Sequence, residues 1–157
     1  MSQTNVKTDL KPRLDRLSFK PMKSERLAET LSSHGVQPSA QRLAVAQYVL
    51  GTTDHPSADR VCSEVRSRIP MISRATVYNT LNLFVEKGLL RQMTLAGGKV
   101  VFDPHVAPHH HFVDDASGDI HDLPWDALEV RRVEALKGVK VREYEVVVRG
   151  DWGRSSS

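Results

Sequence analysis

Cysteine is nearly missing from this chain: Cys62 is the only one among 157 residues. A single thiol closes no intramolecular disulfide and builds no paired-cysteine zinc site. Long apolar runs are missing as well. No stretch approaches the roughly 20 residues that span a bilayer, and the N-terminus has no apolar segment of the kind that directs secretion. The cytoplasm is therefore the expected location, with no membrane partner. Aromatics are scarce at 6%. What remains is ordinary for a globular protein, with 39% apolar and 26% charged residues. The length fits one domain or two small ones. Net charge is only +3, but it is unevenly spread. Residues 1–99 carry 15 Lys and Arg against 8 Asp and Glu, and residues 100–157 carry 7 against 11. A basic front suits a polyanion and an acidic back suits a cation.

Histidine is the residue type present in an informative pattern. Four of the seven histidines fall between Phe102 and Phe112. In an extended strand, alternate side chains share a face. His109 and His111 are thus expected on one face and His110 on the other. Two imidazoles on one face can hold a metal, with Asp103 and Asp122 adding oxygen ligands from flanking turns or strands. Such a mixed set suits iron, manganese or zinc better than calcium or copper(I).

Upstream, the spacing of apolar residues predicts four helices. Residues 23–34 place Leu27 and Leu31 on one side, and Gly35 ends the run. Ser39 caps a helix from Ala40 to Leu50, and Ser57 caps another to about Arg68, with Cys62 as a small core residue. Ser73 caps a fourth helix, Arg74 to Lys87, with Val77, Leu81, Phe84 and Val85 apolar. Its remaining faces offer Arg74, Thr76, Tyr78 and Asn79, groups that contact phosphates and base edges. Two strands around Gly97-Gly98 follow, the pattern of a helix-turn-helix with a two-stranded wing. A recognition helix of this kind lies in the major groove of double-stranded DNA. Beyond the histidines, Ile120 to Leu123 reads as a strand, Trp125 to Leu136 as a helix, and Val139 to Val148 as a final strand. Open strand edges in so small a unit point to a homodimer.

The expected class is α+β, an N-terminal winged-helix DNA-binding domain followed by a small α/β dimerisation domain. Residues 1–22 form a basic arm, 23–102 the winged helix, 103–150 the metal-binding and dimerisation unit, and 151–157 a frayed tail.

Over nearly all of residues 23–150 the chain resembles the ferric uptake regulator (Fur) family. The resemblance is carried by Gly35 to Arg42, His55-Pro56-Ser57-Ala58-Asp59, Ser73 to Leu81, Phe102-Asp103, and His109-His110-His111-Phe112. It implies a metal-dependent regulator that binds a palindromic operator as a homodimer. It also implies one regulatory metal site made by His55, Asp103, His109, His111 and Asp122, filled by Fe2+ or Mn2+, with Zn2+ also accepted. Gln37 and Arg42 join Arg74, Thr76, Tyr78 and Asn79 as DNA contacts; relatives often place a basic residue at the Gln37 position. Aspartate at 122 resembles the peroxide-sensing branch and the iron response regulators. In the first, oxidation of His55 or His109 releases the metal and then the DNA. In the second, the triple histidine points to haem as an alternative cofactor.

Departures from the family pattern are equally definite. Asp114 and Ser117 stand at the first cysteine pair of the family's structural zinc, so no four-cysteine zinc is expected. His110 and Glu129 match two ligands of a second metal site, but Pro108 and Tyr144 stand where its histidines belong. A reading from another class, a small His/Asp metalloenzyme, gives the recognition-helix pattern no purpose, and the chain is expected not to be an enzyme.

Overall fold

The computed structural model describes residues 22–153. The basic arm, apart from Met22, and the tail beyond Gly153 lie outside the described residues.

Four helices form as their caps dictate: α1 (Ser24–Ser33), α2 (Ala40–Val49), α3 (Ala58–Arg66) and α4 (Arg74–Glu86). Each of the last three opens on a serine whose hydroxyl accepts an otherwise unpaired backbone N–H. Ser39 takes that of Arg42, Ser57 that of Arg60 and Ser73 that of Thr76. Gly35 and Gly88 follow α1 and α4 with φ of 74° each, the left-handed conformation that lets the next residue turn back onto the helix. Val36 N–H accordingly reaches Leu31 O, and Leu89 N–H reaches Phe84 O.

The helices bury one apolar core. Leu31, Val45, Val61, Val77, Leu81 and Phe84 are completely enclosed, and Cys62 packs among them. β1 (Arg91–Thr94) and β2 (Val100–Asp103) form the antiparallel wing, with Arg91 opposite Asp103. Gly97 and Gly98 at its tip have φ of 83° and 81°, which other residues rarely adopt. Phe102 N–H donates to Pro56 O at 3.0 Å. That bond ties the wing to the loop that enters α3.

A second sheet has the order β4-β3-β5, made from β3 (His110–Asp114), β4 (Ile120–Leu123) and β5 (Val147–Gly150). β3 runs antiparallel to β4 and parallel to β5.

Two expectations fail in this half. The helix expected from Trp125 to Leu136 is only two short 3-10 turns, Trp125–Ala127 and Val133–Ala135, separated by Arg132 at φ 65°. A twelve-residue helix draws most of its stability from burying its apolar face. Here Leu136 stays 57% exposed. The final strand is also shorter than Val139 to Val148: it starts at Val147, and Val139 and Val141 lie exposed on irregular chain. Among the described residues no helix is long and apolar enough to cross a membrane.

Phe84 is the largest fully buried side chain. Phe84→Ala should destabilise the protein by about 3–5 kcal/mol, read from the urea midpoint at unchanged slope. A loss below about 1 kcal/mol, the scale of a surface substitution, would contradict this packing.

Candidate metal centre

Five side chains from separate places in the fold meet at one point. His55 comes from the loop before α3, Asp103 from the end of β2, His109 from the residue before β3, His111 from β3 and Asp122 from β4. One ligand atom from each lies within 4.8 Å of all the others. The strand register explains part of this. His111 sits directly opposite Asp122 in the β3–β4 pair. Alternation puts His109 beside His111, with their Nε2 atoms 2.9 Å apart. His110 faces the other way, stacked on Trp125 with its Nδ1 accepting Val146 N–H.

Asp103 is the hub, 2% exposed. Its Oδ2 lies 2.8 Å from His109 Nε2, 3.2 Å from His111 Nε2 and 3.4 Å from His55 Nε2. Asp122 is less enclosed, with Oδ1 3.0 Å from His55 Nε2. His109 Nδ1–H donates to Ala107 O at 2.7 Å. A carbonyl only accepts, so this bond leaves His109 Nε2 with its lone pair toward the cluster.

No neighbour meets hydrogen-bond geometry at either ring nitrogen of His55 or at His111 Nδ1, although carboxylate oxygens lie 3.0 Å from His55 Nε2 and 3.3 Å from His111 Nδ1. Buried polar atoms of this kind are rare and ask for an explanation. Imidazole nitrogens and carboxylate oxygens aimed at one point from both halves of the chain are the donor set of a borderline divalent cation.

Electrostatics agree. Burial would lower the pKa of His55, but Asp103 and Asp122 outweigh it and raise it to about 9. Burial would raise that of Asp103, and its three histidine neighbours drive it well below the carboxylate range instead. The same contest raises His109 and lowers Asp122. The two carboxylates demand positive charge at this spot, which in chelator comes from protonated imidazole.

Two neighbours escaped the sequence reading. His105 stacks on His109 at 4.2 Å with Nδ1 3.2 Å from Asp122 Oδ2. Glu145 Oε2 lies 3.3 Å from His111 Nδ1. Neither had a periodic signal. Glu145 arrives from irregular chain far downstream, and His105 follows a turn closed by its own N–H on Asp103 Oδ1.

The remaining candidates lie elsewhere. Gln37, Arg42, Thr76 and Asn79 line one cavity of about 460 Å³ between α2 and α4, where Arg42 also donates to Gln37 O at 2.8 Å. Arg74 and Tyr78 project from α4 next to Asp59 and do not line that cavity. His110 and Glu129 join no metal-capable group among the described residues. Glu129 is exposed and held by Arg131 through two bonds of 3.0 Å.

The raised pKa of His55 has a testable sign. In chelator its contribution to stability is complete below its ordinary value of 6.5 and is lost as pH rises through about 9. Thermal midpoints in EDTA should therefore fall between pH 6.5 and 9 for the unaltered chain and stay flatter for His55→Ala. Parallel curves would contradict the pairing.

The profile of the ferric uptake regulator family matches residues 33–149. The peroxide operon regulator of Bacillus subtilis is 33% identical over 124 residues, covering 78% of this chain and 86% of that protein. Among solved structures, the ferric uptake regulator of Vibrio cholerae superposes with a TM-score of 0.64 at 26% identity, covering 79% of this chain and 98% of that one. The Campylobacter jejuni peroxide stress regulator gives 0.58 at 26% identity, covering 86% and 100%. With its four-helix N-terminal unit, wing and histidine-bearing sheet, this chain belongs to the ferric uptake regulator family.

Proposed function

We propose that this chain is a metal-dependent DNA-binding repressor that senses peroxide at the five-residue centre. The observation that carries the reading is the convergence of His55, from the helical half, with His111 and Asp122, from the second sheet. His55, Asp103, His109, His111 and Asp122 would hold one Fe2+ or Mn2+ ion, and their N/O chemistry also admits Zn2+. A shared ligand set fixes the angle between the two halves, and so the placement of α4. Metal binding and DNA binding then favour the same conformation, and each strengthens the other.

Bound ferrous iron would activate the peroxide O–O bond for cleavage, with the two electrons coming in the net reaction from the oxidised ring. The resemblance to peroxide sensors makes His55 and His109 the residues that would record the event. Addition of one oxygen to an imidazole ring, with water leaving, spoils a ligand and separates the halves. The names of similar proteins support this branch: the B. subtilis relative is a peroxide operon regulator, and a Staphylococcus epidermidis relative at 30% identity is a peroxide-responsive repressor. The centre consumes its own side chains in this scheme, so the chain is a sensor and not an enzyme.

α4 would enter the major groove, with Thr76, Asn79, Gln37 and Arg42 along one edge and Arg74 and Tyr78 along the other. Exposed Leu136, Val139 and Val141 support a homodimer, since a second chain would cover them. A two-fold dimer reads a palindromic operator.

His109→Ala and Asp122→Ala should each weaken Mn2+ binding at least about tenfold in calorimetric titration. Unchanged affinity in both would remove the site assignment. On the ferrous protein, dilute peroxide should add one oxygen to the peptide holding His55 or His109 and abolish DNA binding in parallel. DNA release by chelator or haem, with no oxidised peptide, would replace the peroxide reading with an iron- or haem-responsive one.

A further inference from the structure

The loop that carries His55 into the metal centre also carries a carboxylate to the recognition helix. Four residues after His55, Asp59 stands in the first turn of α3. Its Oδ1 lies 2.7 Å from an Arg74 guanidinium nitrogen and accepts the Tyr78 hydroxyl at 3.1 Å. The third side of the triangle is closed by Arg74, which donates to Tyr78 Oη at 3.1 Å and lies 5.2 Å from the centre of its ring. Both charged side chains are 64% exposed. Exposed ion pairs contribute little to folding, so this network is not explained by stability. It does fix the rotamers of two long side chains on the face of α4 that the DNA reading needs.

The run between the two sites is stiff. Pro56 is buried and its carbonyl is held by Phe102 N–H, one residue before Asp103. Ser57 is locked as the cap of α3, and Ala58 is 6% exposed. So short and constrained a stretch links the position of His55 to that of Asp59.

We propose that Asp59 is a positioning residue for DNA recognition. Its carboxylate sets Arg74 and Tyr78 in the conformation that reads DNA, and that setting depends on whether the metal centre engages His55. The inference rests on the DNA-binding reading above and adds the route by which the centre reaches the base-reading face. It also opposes a simpler expectation: a carboxylate beside phosphates repels them, so its removal alone should strengthen binding to any duplex.

The experiment separates these. The unaltered Mn2+-loaded protein first selects duplexes from a random-sequence pool. Affinities for the selected duplex and for a scrambled copy are then measured by fluorescence anisotropy, with and without Mn2+, for the unaltered chain, Asp59→Asn and Asp59→Ala. In Mn2+ the ratio of selected to scrambled affinity should fall about tenfold in both variants, while binding to the scrambled copy holds or rises. The dependence of that ratio on Mn2+ should shrink, and Mn2+ affinity without DNA should stay unchanged. In the Tyr78→Phe background, Asp59→Ala should cost much less than it does alone. A ratio that survives either Asp59 variant, additive losses, or Mn2+ binding that collapses with Asp59 would overturn the positioning role. If the unaltered protein selects no duplex, the DNA reading falls and this inference with it.

Discussion

A buried carboxylate surrounded by imidazoles is the constraint on which the rest depends. Asp103 is nearly inaccessible, and a charge in such a place is tolerated only when it is paired. Its partners come from both halves of the chain: His55 on one side, His109 and His111 on the other. The pairing therefore does more than satisfy Asp103. On the proposed function, it would make the relation between the helical unit and the second sheet depend on what cation sits among them. A proton on His55 meets the need weakly, because it bonds along one direction. A divalent ion would meet it from several directions at once. That difference would be the physical basis for the proposed switch.

Where the family resemblance places a cysteine-bound zinc, this chain uses other means. Ser117 donates to Asp114 Oδ2 at 2.8 Å, and Asp114 Oδ1 takes the N–H groups of Ala116 and Trp152. Trp152 stacks on His121 at 4.1 Å and leans on Phe112, while Arg149 pairs with Asp115. Hydrogen bonds in a tight turn and an aromatic lid hold the end of β5 to the β3–β4 turn. None of these contacts responds to thiol oxidation. The oxidisable groups in the five-residue centre are histidines, with Cys62 sealed in the helical core.

Local chemistry was legible in the sequence, and long-range meetings were not. Ser39, Ser57 and Ser73 mark the helix starts because capping is a bond between near neighbours. Strand alternation separates His110 from His109 and His111 without any structure. By contrast, no spacing rule recruits His55 to the centre, and only family resemblance does so. Glu145 and the Asp59 triangle had no signal of either kind, since each joins segments whose approach is set by packing. The failed helix from Trp125 to Leu136 is the converse case. Its sequence has a helical apolar pattern, but a pattern becomes a helix only against a surface, and the single chain presents none there.

The central claim is that one cation is held by imidazoles from both halves of the chain. X-ray absorption at the manganese edge of the Mn2+-loaded protein tests it most directly. The account predicts a shell of nitrogen and oxygen only, with outer-shell scattering from about three imidazoles that drops by one in His55→Ala. A spectrum without imidazole scattering, or one that His55→Ala leaves unaltered, would contradict it.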